Sequence, residues 1–154
     1  MPAVCFVCTG NTCRSPMAMC SLRHLMPPCG TQVWSRGVAV DPKELAMNPS
    51  AVEALRSRGI EVDLEHRATP LAQSDVENAD VIVVMTQLHR QKLLDLHPTA
   101  AKKARLLLSY ADSKEDLSDP LGHPLDVYQA CLDSIQSAVQ QLARTAAENG
   151  ACFL

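Results

Sequence analysis

The sequence predicts an α/β fold: a three-layer, doubly wound domain with a four-stranded parallel sheet flanked by helices. Short apolar segments alternate along the chain with segments that carry helix signals. Residues 81–85, Val-Ile-Val-Val-Met, are apolar without alternation, as expected for a strand covered on both faces. A turn-rich segment directly follows the first apolar segment, and ligands of doubly wound sheets bind beyond the carboxyl ends of the strands.

The apolar segments are predicted strands, and each is bounded by turn or polar residues. The first is short and leads into Thr9-Gly10-Asn11, which is typical of a turn. The third is the β-branched run, and an acidic loop over residues 112–119 follows the fourth. In chain order the predicted strands are residues 4–7, 32–38, 81–85 and 105–110.

The segments between the strands are predicted helices. Ser15-Pro16 is a favourable start, because a capping hydroxyl precedes a proline at the first helical position. Asn48-Pro49-Ser50 opens the second helix and Gly59 closes it. The last helix carries apolar residues at helical spacing, which is typical of a face packed on the core. In chain order the predicted helices are residues 16–25, 48–58, 71–78, 88–96 and 125–147.

Composition excludes several classes of function. The 154 residues are 47% hydrophobic and 20% charged, and they carry no internal repeat or linker, so we expect one domain over residues 1–154. A net charge of −3 gives no electrostatic basis for binding nucleic acid or an anionic membrane surface. No apolar run is long enough to span a membrane, and no basic segment precedes the apolar residues near the start. We therefore expect a cytoplasmic protein that acts as a monomer.

Seven cysteines are many for this length, and five lie within the first 29 residues. Their odd number and the lack of an export signal favour a reducing compartment, where one or more thiols are kept for chemistry. Cys5 and Cys8 have the spacing of a redox pair, but an odd separation along a strand sends them to opposite faces. No second close Cys or His pair complements them, and a metal would consume a reactive thiolate, so we predict no zinc site. We expect no other cofactor.

Residues 8–15, Cys-Thr-Gly-Asn-Thr-Cys-Arg-Ser, join the first strand to the first helix. A loop curled here points successive backbone N–H groups inward, and the helix N-terminus adds partial positive charge, which suits a tetrahedral oxyanion. Arg14 adds a planar guanidinium that can hold two of the oxygens. The predicted phosphate-binding residues are Thr9, Gly10, Asn11, Thr12, Cys13, Arg14 and Ser15.

Cys8 is predicted to lie at the base of this cradle. The helix terminus and Arg14 favour its thiolate form, and a thiolate beneath a bound phosphoryl group is set up for in-line attack on phosphorus. Ser15 can donate a hydrogen bond to the sulfur and help it leave later. The leaving group also needs a proton, for which a carboxylic acid in a partly closed cleft is the common donor.

Residues 7–18 resemble the signature of the low-molecular-weight protein tyrosine phosphatases. Ser118-Asp119-Pro120 resembles the family's Asp-Pro loop, and residues 35–38 are similar to one of its strand ends, with Arg36 where the family has Ala. The resemblance implies a metal-free cysteine phosphatase with a four-stranded parallel sheet, acting on phosphorylated proteins.

The same resemblance implies roles for individual residues. Cys8 is the nucleophile, Arg14 binds the phosphoryl group in the transition state, and Asp119 protonates the leaving group and then activates the water that hydrolyses the phosphocysteine. Four further side chains are expected to hold the loop by hydrogen bonds: Asn11, Ser15, Ser35 and His66.

Thr12 and Leu121 are the predicted specificity residues. Tyrosine-directed members usually carry Ile at the position of Thr12, whereas the loop Cys-Thr-Gly-Asn-Thr-Cys-Arg resembles the family's bacterial protein-arginine-phosphatase branch. That resemblance implies that Thr12 admits a phosphoguanidine and positions the attacking water. Aromatic walls that would sandwich a phosphotyrosine ring are missing from residues 38–47, and the chain is only 3% aromatic. Leu121 stands where the tyrosine-directed members have an aromatic residue and where the arginine branch often has Phe.

The remaining cysteines and histidines are expected to be structural, with one exception. Cys13 shares the loop with Cys8, so a reversible Cys8–Cys13 disulfide would protect the nucleophile from overoxidation; packing of Cys13 into the interior is the other interpretation. Cys20 and Cys131 are predicted core residues, and Cys29 and Cys152 lie near element ends. Surface or capping positions are predicted for His24, His89, His97 and His123.

Four functions compete at this point. A protein-arginine phosphatase is favoured, and a phosphotyrosine phosphatase of the same fold is the alternative. Thiol-dependent arsenate reduction needs relay cysteines, and none lies between Cys29 and Cys131. A non-enzymatic anion-binding module would not need Cys8, Arg14 and Asp119 together.

Overall fold

A computed structural model describes residues 2–26 and 31–148 and shows one parallel sheet. The strands lie in the order β2-β1-β3-β4, which confirms the predicted α/β fold. Cys29 and Cys152 lie outside the described residues. The strands are β1 Ala3–Cys8, β2 Gln32–Gly37, β3 Val81–Val84 and β4 Ala104–Leu106.

Five α-helices and two short 3-10 helices connect the strands in the described part of the chain. Asn48 caps the second α-helix through its side chain, and Gly59 follows it with φ of 71°, as the sequence predicts. None of the described helices is long and apolar enough to cross a membrane. The α-helices are α1 Arg14–Leu25, α2 Pro49–Ser57, α3 Gln73–Asn78, α4 Gln87–Leu96 and α5 Leu125–Glu148, and the 3-10 helices are Pro98–Lys102 and Leu107–Ala111.

The sheet separates two apolar cores, because alternate residues of β1 point to opposite faces. Phe6 and Cys8 pack into the core shared with α1, α2 and α5. Cys5 and Val7 pack into the core shared with α3 and α4. The predicted separation of Cys5 from Cys8 therefore holds, and the three layers of the fold follow from it.

The carboxyl end of β1 lies where the strand order reverses. The chain leaves β1 towards β2 on one side and returns to β3 on the other. Loops diverge at such a point and open a crevice, which is where doubly wound sheets bind their ligands. The loop that begins at Cys8 occupies this position.

Most element bounds differ from the predicted ones by one or two residues, as at the start of α1, and the end of β4 differs by more. Helix α1 begins at Arg14 rather than Pro16, and its N-cap Cys13 makes no side-chain capping bond. Ser15 does not cap the helix as predicted, because its hydroxyl bonds within the loop. Strand β4 ends at Leu106, and the rest of the predicted strand is a 3-10 helix. In this helix the buried Leu107 packs into the core of α1 and α5.

Candidate active site

The loop of residues 8–15 places a thiol, a hydroxyl and a guanidinium around one point. Cys8 ends β1 and is 3% exposed. Its Sγ lies 3.0 Å from Oγ of Ser15, in the first turn of α1. Asn11 Nδ2 donates to the same Ser15 oxygen over 2.8 Å. Because Ser15 Oγ accepts from Asn11, its own proton is available to Cys8 Sγ, an arrangement that stabilises a thiolate.

Asn11 holds the loop to its surroundings from a left-handed backbone conformation. Its φ is 60°, and its side chain is fully buried. Besides Ser15, Nδ2 donates to Ser35 Oγ over 2.9 Å, and Oδ1 accepts from the backbone N–H of Thr69 over 3.0 Å. The Asn11 backbone carbonyl accepts from His66 Nε2 over 2.8 Å. The residues expected from the family resemblance to hold the loop thus meet at Asn11: Ser15 and Ser35 at its side chain, and His66 at its backbone carbonyl.

His66 is neutral in this position. Burial lowers its pKa, and this effect outweighs the hydrogen bond to Asn11, which favours the charged form. Because the Asn11 carbonyl can only accept, the neutral ring carries its proton on Nε2. His66 is therefore suited to hold the loop without adding a charge to the site.

Arg14 connects the loop to the segment that carries Asp119. Its side chain is 6% exposed, and Nη1 donates to the Leu117 carbonyl over 2.8 Å. Nη2 lies 3.5 Å from Oδ2 of Asp119, whose side chain is 48% exposed. Asp119 Oδ1 also accepts the backbone N–H of Leu121 over 3.1 Å. The guanidinium and the carboxylate face the same cleft, as the proposed chemistry requires.

A cleft of about 200 Å³ opens above the loop. Thr12 and Leu121, the predicted specificity residues, both line it. Among the described residues that line it, none is aromatic. The lining consists of Cys8, Thr9, Gly10, Thr12, Cys13, Arg14, Ala39, Asp41, Glu44, Asp119 and Leu121.

Cys13 is buried and lies next to α5. Its Sγ is 3.6 Å from the hydroxyl of Tyr128 and 3.8 Å from Oγ1 of Thr12. Burial raises the pKa of the Cys13 thiol. A protective disulfide with Cys8 stays a prediction, because all five described cysteines are free thiols. Cys20 and Cys131 are core residues as expected, and burial raises the pKa of Cys131 to about 12.

One histidine is misplaced by the sequence prediction. His89 is not at the surface but 3% exposed on the first turn of α4, and its Nε2 lies 2.7 Å from Oγ1 of Thr9. Asp41 and Glu44 in the cleft wall were not predicted either. Nothing local in the sequence marks these residues, because the loop they face is distant along the chain.

No group of three or more His, Cys, Asp or Glu side chains that could hold a metal occurs in residues 2–26 and 31–148.

Comparison with known proteins gives a consistent result. The model of the low molecular weight phosphotyrosine protein phosphatase family matches residues 3–151. A protein-arginine-phosphatase of Bacillus subtilis is 36% identical over 144 residues, which cover 92% of this chain and 94% of the relative. A probable low molecular weight protein-tyrosine-phosphatase, EpsP, of Ralstonia nicotianae is 38% identical over 133 residues, 86% of this chain and 88% of its own.

A solved structure matches over almost the whole chain. It is a cysteine-to-serine mutant of the YwlE arginine phosphatase in which the active-site serine is phosphorylated. The TM-score is 0.87 at 33% sequence identity, and the match covers 96% of this chain and 97% of that one.

Proposed function

The chain belongs to the low molecular weight phosphotyrosine protein phosphatase family, and we propose that it hydrolyses phosphoarginine residues in proteins through a phosphocysteine intermediate. Two observations support the proposal. The loop carries the thiol, hydroxyl and guanidinium that the reaction needs, and the cleft above it is lined by no aromatic residue among those described. The second observation carries the choice of phosphoarginine over phosphotyrosine.

Cys8 forms the intermediate. Its Sγ attacks phosphorus in line with the P–N bond of phosphoarginine, so that an S–P bond forms as the P–N bond breaks. The Ser15 hydroxyl, 3.0 Å away, stabilises the thiolate before attack and again when the sulfur leaves. The Arg14 guanidinium and the backbone N–H groups of the loop hold the three phosphoryl oxygens. The phosphorylated serine in the YwlE mutant supports a covalent step of this kind.

Asp119 transfers the proton in both halves of the reaction. The electron pair of the broken P–N bond goes to the guanidine nitrogen, which takes the proton of the Asp119 carboxyl group. Water then attacks the phosphocysteine, Asp119 takes a proton from this water, and inorganic phosphate leaves as Cys8 returns to the thiolate. Asp119 is half-exposed and 3.5 Å from Arg14, a position from which it can reach solvent water and the leaving group.

Hydrogen-bonding groups in the cleft suit a guanidine better than a phenol. Phosphoarginine carries N–H donors beside its phosphoryl group, and these need acceptors. Asp119 and the Thr12 hydroxyl supply acceptors, and the Asp41 and Glu44 carboxylates add negative charge to the same lining. A phenol offers none of these donors, and its ring finds no aromatic partner in the lining.

Phosphotyrosine is the second candidate substrate. The EpsP relative, 38% identical, is named a probable protein-tyrosine-phosphatase, so family membership alone does not choose between the two substrates. That the enzyme is a cytoplasmic monomer also stays a prediction, which imaging of tagged protein and sedimentation analysis would test.

The decisive experiment compares kcat/KM on matched phosphoarginine and phosphotyrosine peptides, with Cys8→Ser as the blank. We expect phosphoarginine to be preferred at least tenfold, which corresponds to about 1.4 kcal/mol of transition-state discrimination. A preference for phosphotyrosine would leave the family and the mechanism intact and overturn the proposed substrate.

Variants of Thr12 and Leu121 identify the source of the preference. Thr12→Val keeps the shape of the side chain and removes the hydroxyl, whereas Thr12→Ser keeps the hydroxyl, and Thr12→Ile adds bulk. We expect Thr12→Val and Thr12→Ile, but not Thr12→Ser, to shift the preference towards phosphotyrosine. Leu121→Phe is expected to improve KM for both peptides by adding a face against which either group can stack. An unchanged preference in Thr12→Val would remove the hydroxyl from the explanation.

A further inference from the structure

His89 contacts the loop of residues 8–15, here called the phosphate loop, from helix α4. It lies on α4, and its Nε2 is 2.7 Å from Oγ1 of Thr9, the residue after the nucleophile. The ring is 97% buried, since its exposure is 3%, and its Nδ1 has no hydrogen-bond partner in the described part of the protein. An apolar side chain would fill this space without an unsatisfied nitrogen, but it would leave the Thr9 hydroxyl without its partner.

The first turn of α4 also holds the segment that carries Asp119. The backbone N–H of Gln87 donates to Asp116 Oδ1 over 2.8 Å, and the N–H of Leu117 donates to the Met85 carbonyl over 2.9 Å. His89 is fixed to the same turn, because its backbone N–H donates to Oγ1 of Thr86 over 3.0 Å. The beginning of α4 therefore contacts both the phosphate loop and the segment of residues 116–119, here called the acid loop.

These contacts close a ring around the cleft. From Leu117 the ring passes to Arg14, whose Nη1 donates to the Leu117 carbonyl over 2.8 Å. From Arg14 it follows the phosphate loop back to Thr9, and from Thr9 it crosses to His89. The Thr9–His89 bond is the link that joins the loop to α4 directly, so its loss opens the ring while the other contacts remain.

We propose that His89 is a positioning residue that sets the phosphate loop and the acid loop in register, so that Asp119 meets the leaving group of a substrate bound over Cys8. The proposal rests on the phosphatase function but not on the choice of phosphoarginine. His89 acts through Thr9 and α4 and does not line the cleft itself.

The charge state of the ring fits this role. Burial, and then the nearby Arg14 guanidinium, lower the pKa of His89 to about 4. The other charged groups that face it are Lys92 on its own helix and Asp116 and Asp119 on the acid loop, and they do not restore the charge. A neutral ring holds Thr9 without adding a second positive charge beside Arg14.

The test uses the dependence of kcat/KM on the leaving group, because kcat/KM reports the step in which the leaving group departs. A misplaced acid slows substrates with poor leaving groups more than those with activated ones, which need little protonation. We expect His89→Leu to lose at least tenfold on phenyl phosphate and less than threefold on 2,4-dinitrophenyl phosphate. Asp119→Asn sets the upper limit of this difference. His89→Gln, whose amide can reach Thr9, is expected to recover most of the loss.

Two further variants keep the proposal falsifiable. Thr9→Val removes the other end of the same bond with little change in volume, so the double variant should lose no more than His89→Leu alone. His97→Leu changes a histidine at the other end of α4, where Nδ1 bonds Gln73, and should leave the rates unchanged. An equal loss of His89→Leu on all leaving groups, or no loss in either His89→Leu or Thr9→Val, would overturn the proposal. If the wild-type protein cleaves no aryl phosphate and no phosphoarginine peptide, the phosphatase function itself fails.

Discussion

Replacing Asn11 by alanine is expected to unfold the phosphate loop and to destabilise the whole domain. The substitution removes both Nδ2 donors, to Ser15 and Ser35, and the Oδ1 acceptor of the Thr69 N–H. It also places an alanine, whose side chain forms no hydrogen bonds, at a φ of 60°. The bond from His66 is kept, because its acceptor is the Asn11 backbone carbonyl.

The magnitude follows from these contacts. Three buried hydrogen bonds contribute about 1 kcal/mol each, and more where the partner is left unsatisfied. An alanine in the left-handed region costs about 1 kcal/mol further. The expected loss is therefore about 4 kcal/mol, a large share of the roughly 5–15 kcal/mol by which a native domain is stable.

Urea denaturation measures this loss, with the fluorescence of Trp34, the one tryptophan in the sequence, as the signal. With a slope of about 2 kcal/mol per molar urea, the midpoint falls by about 2 M. Asn11→Gly is the matched control, because it loses the same hydrogen bonds without the strain and should be about 1 kcal/mol more stable than Asn11→Ala. A loss below about 1.5 kcal/mol would refute the hydrogen-bond argument, and equal stability of the two variants would refute the strain argument.

Three further predictions concern the surroundings of the loop. A Cβ at Gly37 would lie 2.6 Å from the Thr9 carbonyl oxygen, so Gly37→Ala should lower kcat/KM at least tenfold with an unchanged far-ultraviolet spectrum; wild-type activity would show that the loop accommodates the methyl group. Asp75 is 8% exposed, pairs with Arg36 Nε over 3.1 Å and accepts from Trp34 Nε1 over 3.0 Å, so Asp75→Ala should lose about 3 kcal/mol in urea titration, and a loss under about 1 kcal/mol would contradict its structural role. The pKa of His89 is about 4 in the folded protein against 6.5 for the unfolded chain, so the unfolded state binds more protons between these values and stability falls as the pH falls through this window. His89→Gln should flatten this part of the stability profile, and an unchanged slope would assign it to other groups.

The three longer strands could be predicted from the sequence, and the end of the fourth could not. β1 and β3 are continuous apolar runs in the middle of the sheet, and their predicted and observed positions agree within two residues. β4 is only three residues long, so its own sequence pattern is too short to show where it ends. The apolar residues after Leu106 have the composition of a strand, and a continued strand would bury Leu107 in the same core as the observed 3-10 helix, so the two conformations compete there. Local pattern does not contain that competition.

The residues of the candidate site likewise include some that could be predicted from the sequence and one that could not. Cys8, Asn11 and Arg14 lie within the loop of residues 8–15, and their roles could be predicted from the chemistry of that short segment. Asp119 becomes visible through the resemblance of its Asp-Pro segment to a known family. His89 carries no such signal, because its partner Thr9 is 80 residues away and a histidine on a helix is ordinarily a surface residue.

The contacts of the loop explain why its geometry and the stability of the fold depend on each other. Each strand end or the segment after it supplies one support: Ser35 at the end of β2, the turn after β3 that holds His89, and Leu117 beyond β4. The left-handed conformation of Asn11 is unfavourable by itself and persists because the surrounding contacts fix it, and the Thr9 carbonyl approaches Gly37 too closely for a side chain there. A variant that relaxes the loop therefore loses part of the contact between strand ends. Activity and folding stability should fall together in Asn11→Ala. His89→Gln keeps the link to Thr9, so it should keep most of the activity while it changes the dependence of folding stability on pH.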